Sequence, residues 1–174
     1  MNVLIMSIAS IILMLLPAYC MAETDMPLNE LTIKFDLQRS TITGVSQITL
    51  PAGQKAGINI SGLKITASSI NDRSLMIEPG TESIMFSPGS SADVLKIEYE
   101  AVYKSLPESE TTKNPGVIKG NIISSEGIIL MDNWHPAVEG ISFYRLTAML
   151  PAEFEGISEA EEIYIKERAE AQPA

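Results

Sequence analysis

The sequence offers few side chains for catalysis or metal binding: its 174 residues include one histidine, His135, and one cysteine, Cys20. A catalytic zinc site usually takes two or three histidine ligands, and the zinc-peptidase motif H-E-x-x-H needs two on one helical face. A Ser-His-Asp hydrolase needs one histidine, but the sequence has no Gly-x-Ser-x-Gly motif. Paired carboxylates suit a glycosidase, yet with 22 acidic residues such pairs carry little information. We therefore expect no catalytic residue, no metal ligand and no cofactor in this chain, and a hydrolase using scattered carboxylates stays a minor alternative.

Trp134 and His135 are the two candidate interface residues. They lie in a short segment, Asp132–Pro136, between two predicted strands. Trp134 is the only tryptophan. It either packs at the edge of the hydrophobic core or serves as a contact anchor, and the second alternative rests on the enrichment of tryptophan at interface hot spots. His135 is interpreted as a structural loop residue beside its aromatic neighbour.

The N-terminus has the features of a secretory signal peptide, residues 1–22. Val3–Leu16 is an uncharged apolar run, too short to cross a bilayer, which needs about 20 apolar residues. Small residues follow. Such a signal peptide would direct the chain to the periplasm or the exterior, and its cleavage after Ala22 would leave the mature chain without cysteine. An uncleaved membrane anchor and a buried apolar segment are the alternatives. Lipidation of Cys20 is disfavoured because Tyr19, a large residue, precedes it.

The net charge of the chain limits the kinds of partner that it can bind. Twelve basic and 22 acidic residues give a net charge of −10. Such a surface repels phosphate backbones and anionic lipid, so we expect no nucleic-acid partner and no strong membrane binding after cleavage. The acidity is explained by solubility alone.

Alternating apolar and polar residues predict an all-β fold. Leu31, Ile33, Phe35 and Leu37 alternate with polar residues, the pattern of a half-buried strand, and Thr41–Leu50 returns after a turn at Arg39–Ser40. A change of parity at Ser61–Gly62 predicts a bulge. Further strands are predicted at Ser74–Glu78, Ser83–Ser87, Leu95–Tyr103, Gly127–Met131 and Phe143–Leu150.

About eight strands separated by turns favour an antiparallel sandwich or a saddle-like sheet. Residues 106–119 are polar and predict a long surface loop, and residues 158–169 are rich in Glu and Ala. The predicted organisation is a signal peptide (1–22), a short leader (23–30), a β-domain (31–166) and a polar tail (167–174).

The order of these segments resembles the N-terminal β-domain of the zinc aminopeptidases of the membrane alanyl aminopeptidase type. The resemblance covers residues 28–165. It rests on the opening hairpin, on the Gly127–Pro136 segment, on a strand that ends Tyr144-Arg-Leu-Thr-Ala-Met-Leu-Pro151, and on Gly156-Ile-Ser-Glu-Ala160. Two features depart from the family pattern: H-E-x-x-H is missing, and a Trp134–Glu139 segment replaces the family's Pro-Cys-Phe-Asp-Glu-Pro-like segment.

The resemblance implies a non-catalytic domain of an exported zinc aminopeptidase-like protein, one that braces a catalytic domain and walls the substrate cleft. It implies that zinc would be held in that other domain, and that the partners are the catalytic domain or another protein, and peptide. No site residue is carried over from the family. The alternative is a free-standing periplasmic β-sandwich that acts as a binding or adaptor module.

Overall fold

A computed structural model describes residues 26–103 and 120–151, together with Phe154 and Gly156. These residues form β-strands and turns without a helix, so the all-β prediction is confirmed. No helix in this described part of the chain is long and apolar enough to cross a membrane. The strands are β1 (Leu28–Asp36), β2 (Thr41–Leu50), β3 (Ala56–Asn59), β4 (Lys64–Ile70), β5 (Arg73–Ser74), β6 (Ser83–Phe86), β7 (Asp93–Val102), β8 (Ile122–Ile123), β9 (Ile128–Ile129), β10 (Ala137–Val138) and β11 (Phe143–Met149).

The main sheet has six strands in the order β11-β1-β2-β7-β4-β5. Neighbouring strands within this sheet are antiparallel, with the exception of β1 and β11. These two run parallel, from Leu28 opposite Phe143 to Lys34 opposite Met149. The parallel pair joins two strands far apart in the sequence, so no hairpin imposes an antiparallel direction on them. β11 therefore closes one side of the sheet as an edge strand.

Two smaller sheets, β10-β3-β6 and β8-β9, share one apolar core with the main sheet. One face of β1, β2 and β7 carries most of the buried residues of the main sheet, because side chains alternate across a strand. The other face of the main sheet is polar and includes the Lys96–Glu98 ion pair at 2.7 Å. The core consists chiefly of Ile33, Ile42, Ile48, Leu50, Ile58, Ile60, Phe86, Leu95, Ile97, Tyr99 and Ile123.

The predicted opening hairpin is present as β1 and β2, in register from Leu28 opposite Thr49 to Asp36 opposite Thr41. The turn between them places Ser40 at φ 49°, and the Arg39 amide donates to Asp36 Oδ1 at 3.0 Å. In the centre of the sheet the Tyr99 ring lies over Gly44, where an added Cβ would be 2.5 Å from Tyr99 Cζ. A glycine at this position lets the aromatic ring lie directly on the β2 backbone.

Three strand predictions need correction. Ser61–Gly62 is a turn rather than a bulge: Gly62 has φ +77°, and the chain passes there from the three-stranded sheet to the six-stranded one. The register shift in β4 lies instead between Ile65 and Ala67. The strand predicted at Ser74–Glu78 is reduced to its first residue, and the one at Gly127–Met131 to Ile128–Ile129.

The turn predicted at Pro79–Gly80 is present and ends the segment after β5. The predictions for the signal peptide, the loop at 106–119 and the segment 158–169 fall outside the described residues.

Candidate interaction site around Trp134 and His135

Trp134 and His135 lie in the connection between β9 and β10, at the boundary between core and solvent. Trp134 is half-buried and packs against the core cluster. The His135 ring meets it edge-on, with the ring centroids 4.2 Å apart and the planes at 73°. This T-shaped arrangement is favourable for neighbouring rings and fixes the two side chains relative to each other.

A buried hydrogen-bond chain holds this connection to the main sheet. Ser46 Oγ on β2 donates to Asn29 Oδ1 on β1 at 2.7 Å, and Asn29 Nδ2 donates to the Pro136 carbonyl at 2.8 Å. Asn29 is 2% exposed and Ser46 0%. Buried polar groups of this kind are stabilising only when they are paired, so the three groups depend on one another.

The same carbonyl determines which ring nitrogen of His135 carries the proton in the neutral form. His135 Nδ1 lies 2.7 Å from the Pro136 carbonyl oxygen, which can only accept, so Nδ1 carries the proton. Burial lowers the pKa of His135 from its usual 6.5, and the hydrogen bond to Pro136 opposes that effect only in part. His135 is therefore neutral at pH 7 and serves as a hydrogen-bond donor within the loop.

Asn121 holds the other side of the connection. Its Oδ1 accepts from the Met131 amide at 2.7 Å and from the Asp132 amide at 3.1 Å, and its Nδ2 donates to the Asp132 carbonyl. Asn133 then adopts φ 44°, a conformation that asparagine tolerates better than most residues. These contacts tie the loop to the chain just before β8.

Tyr103 follows the end of β7 and interacts with both Asn121 and Asp132. Burial raises the pKa of Tyr103 to about 12, the Asn121 side chain lowers it, and the Asp132 carboxylate raises it. The hydroxyl is therefore protonated at physiological pH. It adds a neutral polar group to the site and supplies no base.

Among residues 26–103 and 120–151, no group of three His, Cys, Asp or Glu side chains is placed to hold a metal ion. The two candidate interface residues are brought together, as their adjacency requires. Asn29 and Ser46, which position the loop, were not predicted from the sequence. The one sequence signal was a polar residue on the buried face of each hairpin strand.

The site continues onto the edge strand. Asn29 is opposite Tyr144 in the parallel β1–β11 pair, so Tyr144 is the next residue on the same face. Its side chain is half exposed. Tyr144 is therefore the strand neighbour of the residue whose side chain binds the Pro136 carbonyl.

The fold resembles part of an M1 zinc metallopeptidase. The enzyme from Deinococcus radiodurans superposes with a TM-score of 0.50 at 10% identity, over 71% of this chain and 31% of that one. A variant from the same organism, bound to a Tyr-Ser-Ala substrate, gives a TM-score of 0.46 at 11% identity over 71% and 31% of the two chains. No protein-family model matches the sequence, and neither does a curated protein.

The likeness to the M1 metallopeptidase is one of fold, because sequence identity this low carries no information on function. It supports the family resemblance inferred from the sequence at that level. This chain spans about a third of the length of the enzyme. The comparison therefore shows a shared fold and nothing finer.

Proposed function

We propose that this chain is the non-catalytic N-terminal β-domain of a zinc aminopeptidase-like protein, where it braces a catalytic domain and walls one side of the substrate cleft. The observation that carries the proposal is the fold match to an M1 zinc metallopeptidase over 71% of this chain and 31% of the enzyme. With one histidine in the sequence, H-E-x-x-H has to be supplied outside this chain.

The surface around Trp134 supports the choice of partner. A half-buried tryptophan, in a loop that hydrogen bonds hold in place, presents aromatic area at little cost in side-chain entropy. Domain interfaces within one chain use such surfaces. The catalytic domain would cover Trp134 and Tyr144 and would leave the polar outer face of the main sheet in solvent.

The test is aminopeptidase activity associated with the native protein. An antibody to residues 23–174 would isolate it from its source cells, and hydrolysis of alanine p-nitroanilide would be measured with and without 1,10-phenanthroline. We expect chelator-sensitive activity, together with a coding sequence for H-E-x-x-H in frame downstream. A stop codon, an inactive isolate and unrelated neighbouring genes would overturn the proposal and favour the adaptor module.

We also propose that the protein is exported, and this is tested separately. The basis for this proposal is the apolar run Val3–Leu16, which is followed by small residues up to Ala22. Intact-mass measurement of the protein from the periplasm or medium should show a chain that begins near Glu23. Soluble protein that retains Met1 would contradict export.

A further inference from the structure

The outer edge of β11 has no partner strand among the described residues. The Phe143 amide donates to the Pro27 carbonyl at 2.9 Å, which directs Phe143 toward β1. Because alternate residues of a parallel strand direct both backbone groups to the same side, Tyr144, Leu146 and Ala148 direct theirs away from β1. Three N–H groups and three C=O groups are thus presented along one edge.

This edge lacks the usual protection against another strand. The strand contains neither proline nor lysine, and its one charge, Arg145, is paired with Glu30. Apolar side chains flank it: Ile141 is 82% exposed, Phe143 50%, Tyr144 51% and Met149 50%. An edge of this length and composition is a template for strand addition.

The chain itself turns back immediately after β11. The Phe154 amide donates to the Pro151 carbonyl at 3.1 Å, which closes a turn. Gly156 then lies against Leu150, with 3.3 Å between Leu150 Cδ1 and the position of an added Cβ on Gly156. At Gly156 the chain is therefore beside the strand that it has just left.

We propose that residues 157–165 of this chain add to the free edge of β11 as an antiparallel strand, with Gly156 opposite Leu150. A five-residue loop, 151–155, would connect the two strands, a common length for a hairpin. The segment has nine residues, which is enough to cover the seven of β11 and to reach Ile141.

The sequence of the segment fits this register. Ile157 falls opposite Met149, Ile163 opposite Phe143, and Ile165 opposite Ile141, so each exposed apolar side chain on that face gains an apolar partner. Glu161 falls opposite Arg145, which gives charge complementarity. A slip of one residue would instead put Ser158 opposite Met149 and Lys166 opposite Ile141.

The proposal is independent of the peptidase-like function. It makes the edge of β11 an intramolecular docking site whose occupant is the chain itself, and it would cover the apolar side chains that are exposed along that edge. A second copy of the chain is the competing occupant, because an edge strand can also pair with another molecule.

A designed disulfide tests the register in the full chain carrying Cys20→Ser. Thr147 and Glu159 fall opposite each other in a non-hydrogen-bonded pair, where Cβ atoms are close enough for a disulfide. The matched control is Thr147→Cys with Ser158→Cys, which puts the second cysteine on the other face of the strand. Thr147 is exposed, so neither substitution disturbs the core.

Under mild oxidation, Thr147→Cys/Glu159→Cys should give at least about fivefold more intramolecular disulfide than the control, measured by mass spectrometry after proteolysis. Equal yields would overturn the proposal. A disulfide that joins two chains would overturn it in favour of a second copy.

Hydrogen exchange provides an independent readout. The amides of Tyr144, Leu146 and Ala148 should exchange at least about tenfold faster in Ala160→Pro, because proline removes a donor from the proposed pair with Leu146. Ala169→Pro, outside the proposed strand, should leave their rates unchanged. Identical exchange in the wild-type chain and Ala160→Pro would show that this segment does not cover the edge.

Discussion

Asn29 makes the contact that joins the main sheet to the loop of Trp134. Its side chain bridges the Ser46 hydroxyl and the Pro136 carbonyl inside the protein. Asn29→Ala leaves both groups buried without that partner, and each unpaired group costs about 1–3 kcal/mol. We expect Asn29→Ala to lower the free energy of unfolding by about 2–3 kcal/mol, measured by urea denaturation.

Thr32→Ala is the matched control for this prediction, because Thr32 lies on the exposed face of the same strand. Its effect should stay within about 0.5 kcal/mol. If Asn29→Ala changes stability no more than the control does, the hydrogen-bond chain does not contribute to the fold. A cycle with Ser46→Ala would show whether the two side chains act together, since coupled residues deviate from additivity.

His135 predicts a specific dependence of stability on pH. Burial lowers the pKa of His135 in the folded protein below the 6.5 of the unfolded chain. As the pH falls through 6.5, the unfolded state takes up a proton that the folded state does not, so stability decreases until the folded-state pKa is reached. In His135→Asn this part of the decrease should vanish.

The measurement is a set of urea denaturations of the wild-type protein and His135→Asn between pH 8 and pH 5. The difference between the two curves isolates the histidine from the carboxylates, which both proteins share. A difference that is constant over this range would show that the pKa of His135 is not lowered on folding.

At the level of elements, the loop between β9 and β10 determines what Trp134 contributes. A fully buried tryptophan loses about 3–5 kcal/mol on truncation to alanine, and an exposed contact anchor loses little. Trp134 is half-buried against the core, so we expect Trp134→Ala to lower the free energy of unfolding by about 2 kcal/mol. Urea denaturation measures it, and a loss in the fully buried range would assign the residue to packing alone.

Strands with a strict alternation of apolar and polar residues were predicted correctly, whereas the bulge at Ser61–Gly62 and the strands at Ser74–Glu78 and Gly127–Met131 were not. The hairpin of β1 and β2, and β7, carry their burial pattern in their own residues. The parity change at Ser61–Gly62 has two explanations, a bulge and a turn between sheets, and the local pattern cannot distinguish them. The strand at Ser74–Glu78 failed because only β5, two residues long, finds a partner there.

The residues of the candidate site were also predicted only in part from the sequence. Trp134 and His135 were identifiable because each is the only residue of its type. Asn29 is identifiable only once β2 and the loop are placed beside it, since a polar residue at the start of a strand is ordinarily solvent-exposed. The carbonyl that it binds belongs to a residue more than 100 positions away.

The composition of the entire chain bears on zinc binding. The M1 enzymes of similar fold are zinc metallopeptidases, whereas this chain has one histidine, and cleavage after Ala22 would remove its one cysteine. Carboxylates alone hold zinc weakly compared with imidazole and thiolate ligands. Purified residues 23–174 should therefore retain less than about 0.1 zinc per chain after dialysis, measured by atomic emission, and should not hydrolyse aminoacyl p-nitroanilides. One zinc held per chain would contradict the assignment of this domain to a non-catalytic role, because the ligands would then have to come from acidic side chains that the fold brings together.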